Sequence, residues 1–387
     1  MNKRKICVVV TARPSYSRVK TALTAINKHT ELELQLVVAA SALLNRYGSA
    51  VDYIEDDGFR IDAKVFNVLE GENLTAAAKT TGLGILELST VFDNLKPDAV
   101  LTVADRYETM ATAIAATYMN IPLIHLQGGE VTGNIDEKVR HSITKLADLH
   151  LVSTERAKER VIRMGEDPSK VFVTGCPSID IAEAIMSDSS LNFDPLKKYG
   201  GVGGNLNYSK GYIVLMQHPV TTEYELSRKH MEYTLEAVAE LDLPTFVFWP
   251  NVDTGSDGTS KALRSFRESE DFRVRNFHFF KNMLPSDFLK LLVNSSCLVG
   301  NSSVGIRECA YLGVPVVNIG NRQNRRERAS NVIDVEHNKI DIKKAIIAQL
   351  EHGSYNSDQI YGKGDAGMHI ANTIAKFEFN IVKVLTY

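Results

Sequence analysis

The sequence predicts an α/β protein built from two doubly wound domains. Three observations carry that expectation. Short apolar runs rich in β-branched residues recur along the chain, stretches with helical spacing separate them, and a polar, glycine-rich interruption divides the series in two. Apolar strands without alternation suit a parallel sheet covered on both faces. Strands alternating with helices build βαβ units, and hence such a sheet.

In the first series the expected strands are Ile6–Val10, Leu34–Ala40, Ala99–Val103, Pro122–Leu126, Leu149–Val152 and Val171–Thr174. Helical spacing covers Leu74–Leu95, Tyr107–Met119 and Glu137–Ala147. Residues 187–210 are polar and glycine-rich, as a linker would be. Beyond them the strands are Tyr212–Met216, Thr245–Trp249, Cys297–Gly300 and Pro315–Ile319. Helices are expected over Glu223–Leu241, Pro285–Val293, Ser303–Leu312 and Asp341–Leu350, with a terminal amphipathic helix over about His369–Leu385. The expected domains are therefore 1–186 and 211–365, facing a cleft, with the terminal segment 366–387 as a helix packing back on the first.

Composition bounds the function. The chain has 387 residues, 44% hydrophobic and 24% charged, enough for two or three domains of roughly 150 residues. A net charge of −3 gives no pull toward nucleic acid or an anionic membrane. No apolar run approaches the roughly 20 residues of a membrane span. The start, Met-Asn-Lys-Arg-Lys before Ile6–Val10, has too short an apolar part for a signal peptide and reads as a buried first strand. Cys7, Cys176, Cys297 and Cys309 lie far apart with no C-x-x-C pair, so neither a zinc site nor a disulfide framework is indicated. A reduced, cytoplasmic protein is expected.

Ligands of open α/β sheets bind outside the carboxyl ends of the strands, so the strand-to-helix loops matter most. The first loop, Thr11-Ala12-Arg13-Pro14-Ser15, lacks a dinucleotide fingerprint, and no P-loop occurs anywhere. Arg13 has the fork geometry that grips phosphate, although a carboxylate would occupy it equally well. Asp105, before Arg106, sits where a strand ends and a helix begins; it is either a helix cap or a carboxylate at the sheet edge. The loop from His125 to Glu137 gathers Gln127, three glycines, Glu130 and Asp136. Its glycines allow close backbone approach, and its carboxylates suit proton transfer; Asp136 also fits a helix cap.

In the second series His218 and Asn251 each follow a strand. Gly300-Asn301-Ser302-Ser303 runs from a strand into a helix, which offers a phosphate free N–H groups and hydroxyls, or is an ordinary serine cap. Glu308 stands where a carboxylate could accept from ribose hydroxyls. Arg322 opens a run of four arginines that is either a solvated face or an anion contact. No D-x-D triplet supplies metal ligands, so neither metal nor cofactor is expected.

Taken in order, Thr-Ala-Arg-Pro-Ser-Tyr-Ser, Asp-Arg-Tyr-Glu, His-Leu-Gln-Gly-Gly-Glu, Asn-Ile-Asp-Glu, Arg-His-Ser-Ile-Thr-Lys-Leu-Ala, Gly-Cys-Pro-Ser, Gln-His-Pro-Val-Thr-Thr-Glu, Pro-Asn-Val-Asp-Thr-Gly-Ser and Gly-Asn-Ser-Ser-Val-Gly-Ile-Arg-Glu resemble the hydrolysing UDP-N-acetylglucosamine 2-epimerases. The resemblance spans Val8 to the terminal helix. It implies two Rossmann-like domains of the GT-B kind, a homodimer or homotetramer, and conversion of UDP-N-acetylglucosamine and water to N-acetylmannosamine and UDP for sialic acid synthesis. The implied route is anti elimination of UDP to a glycal, then hydration. Asp105 and Asp136 match the family's catalytic carboxylates. His218, Ser302, Ser303, Glu308 and Arg322 match UDP-contacting positions, with Arg13, Arg106 and Asn251 beside them.

Two positions depart from the family pattern. Gln127 stands where a catalytic glutamate is often found, which leaves Glu130, Asp105 or Asp136 to take its role. Ser15 stands where the first loop often has aspartate. These departures keep open a sister activity on UDP-N,N'-diacetylbacillosamine, on the legionaminic acid route. Other readings are a non-hydrolysing epimerase, a glycosyltransferase on the same fold, and a catalytically inactive UDP-sugar sensor.

Overall fold

The computed structural model describes residues 3–45, 49–69, 74–103, 106–132, 135–250, 255–269 and 272–386. Asp105 and Asn251 lie outside them. The chain divides into two compact units: residues 1–131, 135–181 and 361–387 form the first, and 132–134 with 182–360 the second.

The first unit holds seven strands: β1 (Arg4–Val10), β2 (Leu32–Ala39), β3 (Ala63–Val65), β4 (Ala99–Val103), β5 (Leu123–Leu126), β6 (Leu149–Val152) and β7 (Val171–Val173). They pair in the order β3-β2-β1-β4-β5-β6-β7, all parallel. The register sets Ile6 against Ala99 and Leu34. Strand order reverses at β1 and β4, so the switch point lies at the loops that carry Arg13 and Arg106. Ile6, Val8 and Val10 face a core shared with Leu36, Ile370 and Ile374, and the last two come from the helix Ala366–Lys376.

The second unit also holds seven strands: β8 (Val202–Gly203), β9 (Ile213–Met216), β10 (Thr245–Phe248), β11 (Phe277–Phe280), β12 (Cys297–Gly300), β13 (Val316–Ile319) and β14 (Val332–Val335). Their order is β14-β13-β12-β9-β10-β11-β8, parallel except for β8. Here the switch point falls between β9 and β12. At Gly300, with φ 137°, an added Cβ would stand 2.1 Å from the Met216 carbonyl oxygen, so that close approach of β12 to β9 requires glycine.

Several expectations change. Strands β3, β8, β11 and β14 had no counterpart in the sequence reading. Residues 187–210, expected as a linker, lie inside the second unit and carry a short helix (Pro195–Tyr199) and β8, which pairs antiparallel to β11. The terminal helix stops at Lys376, and Phe377 turns extended at φ −73°, ψ 130°. The stretch Ser303–Leu312 is two short helices, Ser303–Ile306 and Glu308–Leu312, because the buried Arg307 departs from helical geometry at φ −101°, ψ −72°. The helix expected from Glu223 begins as a 3-10 segment, Thr221–Leu226, before Ser227–Ala239.

Candidate functional site

In the first unit, Arg13 opens the short helix Arg13–Ser17 with Pro14 beside it, a placement that proline favours. Burial lowers the pKa of the Arg13 guanidinium, and the nearby Tyr53 opposes that shift. Ser15 is buried next to it. After β4, Arg106 caps the helix Tyr107–Tyr118 in extended conformation. Its Nη2 lies 3.1 Å from Oε1 of the buried Glu108, and its guanidinium lies 5.9 Å from the Tyr107 ring centroid. Arg106 is therefore held in place by its own helix at the carboxyl edge of the sheet.

The loop after β5 is the most constrained segment of this unit. Gln127 takes a left-handed φ of 67°, uncommon for a residue with a side chain. Its amide N–H donates to the Leu151 carbonyl at 2.8 Å, and its Nε2 donates to Cys176 Sγ at 3.1 Å. Gly129 is enforced as well: at φ 76° an added Cβ would lie 2.3 Å from the Ala157 carbonyl oxygen. Arg140, fully buried, donates from Nη1 to the Glu130 carbonyl at 2.8 Å, and Arg160 donates to the Gly129 carbonyl at 3.2 Å. Glu130 is itself buried. Asp136 is half-buried in the first turn of the helix Ile135–Leu146, where the N-terminal dipole favours its charge. Glu137 pairs instead with His141, Oε1 to Nε2 at 3.3 Å.

In the second unit His218 follows β9 and is buried. Asn301, at the end of β12, accepts from its backbone N–H at 2.7 Å and donates to its carbonyl at 2.9 Å. That side chain bridges the switch point. Ser302 caps the following turn by accepting from the Val304 N–H at 3.5 Å, and Ser303 is half-buried. The helix they start has only four residues, so its dipole is slight, and hydroxyls and cations carry any anion affinity there. Glu308 opens the next short helix, half-buried.

The arginine run after β13 is more than a solvated face. Arg322 donates from Nη1 to the Asn301 carbonyl at 3.3 Å, alongside Gln323 Nε2 at 2.9 Å. Arg326 is buried against Gln323, and Arg328 pairs with Asp334. Arg325 alone of the four is exposed.

The structure thus brings Arg13, Ser15, Arg106, Gln127, Glu130 and Asp136 to the carboxyl edge of one sheet. It brings His218, Ser302, Ser303, Glu308 and Arg322 to the carboxyl edge of the other. The supporting residues Arg140, Cys176 and Asn301 were not assigned roles from the sequence. All three stood inside the ordered motifs, and that was the available signal.

The family model described as UDP-N-acetylglucosamine 2-epimerase matches residues 24–375. The chain is 33% identical over 361 residues to a UDP-N,N'-diacetylbacillosamine 2-epimerase (hydrolyzing) of Legionella pneumophila, covering 93% of each. It is 35% identical to the polysialic acid biosynthesis protein P7 of Escherichia coli, over 89% of this chain and 85% of that one. Among solved structures, the UDP-GlcNAc 2-epimerase of Neisseria meningitidis bound to UDP-GlcNAc superposes with a TM-score of 0.79 at 20% identity, over 96% of this chain and all of that one, which shows a shared fold. With the family model matching most of its length, the chain belongs to the UDP-N-acetylglucosamine 2-epimerase family.

Proposed function

We propose that the protein is a hydrolysing UDP-sugar 2-epimerase, converting UDP-N-acetylglucosamine and water to N-acetylmannosamine and UDP. The observation that carries this reading is the similarity, over most of the chain, to a relative named as a hydrolysing 2-epimerase. The segment after β5 supports it, because the backbone shaped by Gly129 holds Glu130 in place and the next helix carries Asp136 in its first turn.

The chemistry follows from those residue types. The bond from carbon 1 to the UDP oxygen breaks, and its electron pair leaves with UDP. The proton on carbon 2 becomes acidic only as positive charge grows at carbon 1, so departure of UDP leads. Carboxylates stabilise that charge and then take the proton, leaving a glycal. Water adds at carbon 1 while a proton returns to carbon 2 from the opposite face, so two acid–base groups are needed. In this reading Asp136, Glu130 and Asp105 share that work, and Gln127 positions the loop because an amide cannot act as a base. Arg13, Ser15 and Arg106 contact the substrate, as does Asn251. Ser302, Ser303 and Arg322 bind the diphosphate, Glu308 accepts from the ribose, and His218 stands beside the leaving group.

The similarity to the Legionella relative favours a second substrate, UDP-N,N'-diacetylbacillosamine. A role in sialic acid-type sugar synthesis for surface polysaccharide belongs to the same proposal. The buried thiols of Cys7, Cys176, Cys297 and Cys309 support a reducing compartment such as the cytoplasm. The exposed Leu74, Leu86 and Tyr118 on two helices of the first unit support self-association.

A proton NMR time course in heavy water tests the reaction. Free UDP with N-acetylmannosamine deuterated at carbon 2 is the expected product. Turnover of the 4-acetamido substrate alone would move the assignment to the second reading. A UDP-linked epimer would mark a non-hydrolysing enzyme, acceptor-dependent UDP release a transferase, and survival of both substrates a sensor.

A further inference from the structure

Glu223, His230 and His337 converge on the second unit, apart from the residues assigned above to UDP. Glu223 lies in the 3-10 segment after β9, His230 in the helix Ser227–Ala239, and His337 just after β14. One potential ligand atom from each lies within 4.8 Å of the other two. The imidazoles of His230 and His337 are stacked, with centroids 3.6 Å apart and planes 4° from parallel. Two cationic rings would repel in that arrangement, so the stack does not hold both in the charged form.

Both ring nitrogens of His337 are buried without a hydrogen-bond partner among the described residues. A buried polar group in that state is costly and calls for an explanation. The backbone has been shaped to admit the ring: at Gly320 an added Cβ would stand 2.3 Å from His337 Nε2. Asn321, next in the chain, donates from Nδ2 to Glu223 Oε1, which orients the carboxylate.

Two imidazoles, which ligate in the neutral form, and one carboxylate are a donor set for a borderline divalent transition metal. We propose that Glu223, His230 and His337 form a binding site for one divalent ion of the zinc class, joining the segments that follow β9 and β14. Tetrahedral ligands stand about 3.3 Å apart, so binding turns His230 out of the stack. His230 is half-buried on a surface helix and has room to do so. Water takes the fourth position, and Asn321 becomes the outer partner that holds Glu223. The ion is structural: it fixes the start of the loop that carries Arg322, and no step of the epimerisation runs through it.

The test uses the untagged full-length protein and needs no substrate. Cobalt(II) titration, read by visible absorption, is expected to give a tetrahedral d–d spectrum saturating at one equivalent, with zinc displacing it. His337→Ala and, separately, the surface change Glu223→Gln should each weaken cobalt binding by more than about tenfold, the loss already seen for outer-shell partners. Circular dichroism confirms that each variant is folded. Absence of cobalt and zinc binding by the wild-type protein overturns the site, and so does binding that both variants leave unchanged.

Discussion

Asn301 holds the main chain of His218 at both ends: its Oδ1 accepts from the His218 N–H at 2.7 Å and its Nδ2 donates to the His218 carbonyl at 2.9 Å. Strands β9 and β12 end here, at Met216 and Gly300, and one amide side chain extends the bonding between them past the last paired residues. Arg322 and Gln323 both donate to the Asn301 carbonyl, so one residue organises two loops.

Asn301→Ala leaves two buried backbone groups of His218 unsatisfied and should cost about 2–4 kcal/mol. Differential scanning calorimetry should show the lower Tm. Isothermal titration with UDP should show weakened binding as His218 and Arg322 lose their positions. An unchanged UDP affinity would remove Asn301 from the organisation of the site.

Glu166 in the first unit is buried, and burial alone would raise its pKa. Hydrogen bonds from His150, Lys145 and Lys383 outweigh that and bring it to about 2. Burial lowers the pKa of His150, so the compensating charge comes from the two lysines, each with Nζ 2.6 Å from the carboxylate. A folded-state pKa below the unfolded value stabilises at neutral pH, and that stability is lost as pH falls from about 4.5 toward about 2. Lys383→Met should therefore lower stability at pH 7 by about 1–3 kcal/mol, less than breaking a lone buried pair, since Lys145 remains. It should also start acid unfolding at higher pH. Urea melts across that pH range check both signs.

Asp136→Asn keeps the shape and first-turn position of the side chain but removes a proton acceptor. Turnover of the UDP-sugar should fall by more than about a hundredfold, the lower end of general acid–base contributions, with UDP affinity retained. Gln127→Ala should affect turnover far less, since an amide exchanges no proton. A stopped assay for released UDP, read with UDP calorimetry, separates the two cases. Full activity in Asp136→Asn would exclude it from the chemistry.

The sequence was most legible where burial on both faces made a strand purely apolar. Val8, Val9 and Val10, or Leu123 and Ile124, can hardly be anything else. Legibility failed where the strand was short or mixed. Strand β11 reads Phe-His-Phe-Phe, and the histidine hides a buried run. Strand β14 contains Asp334, which pairs with Arg328, and β3 buries only Val65. Past Lys376 the chain kept apolar residues but lost helical geometry, because Phe377 and Phe379 pack against the core from an extended backbone. At the site, the loops and their carboxylates were visible in the motifs. The partners that hold them were not, since Gln127 and Cys176 meet across 49 positions of sequence.

The first unit is interrupted: residues 182–360 build the second before 361–387 return to the first. On a ribosome that insertion takes about 10–40 s at ordinary elongation rates. Throughout that interval the sheet of β1–β7 waits without Ile370 and Ile374 against its face, and without Lys383 at Glu166. The second unit, contiguous but for residues 132–134, has no such delay. Synthesis therefore leaves the earlier-made unit as the later one to close, exposed meanwhile to chaperones and proteases. A messenger cut short after residue 360 would yield a finished second unit tethered to an unfinished first.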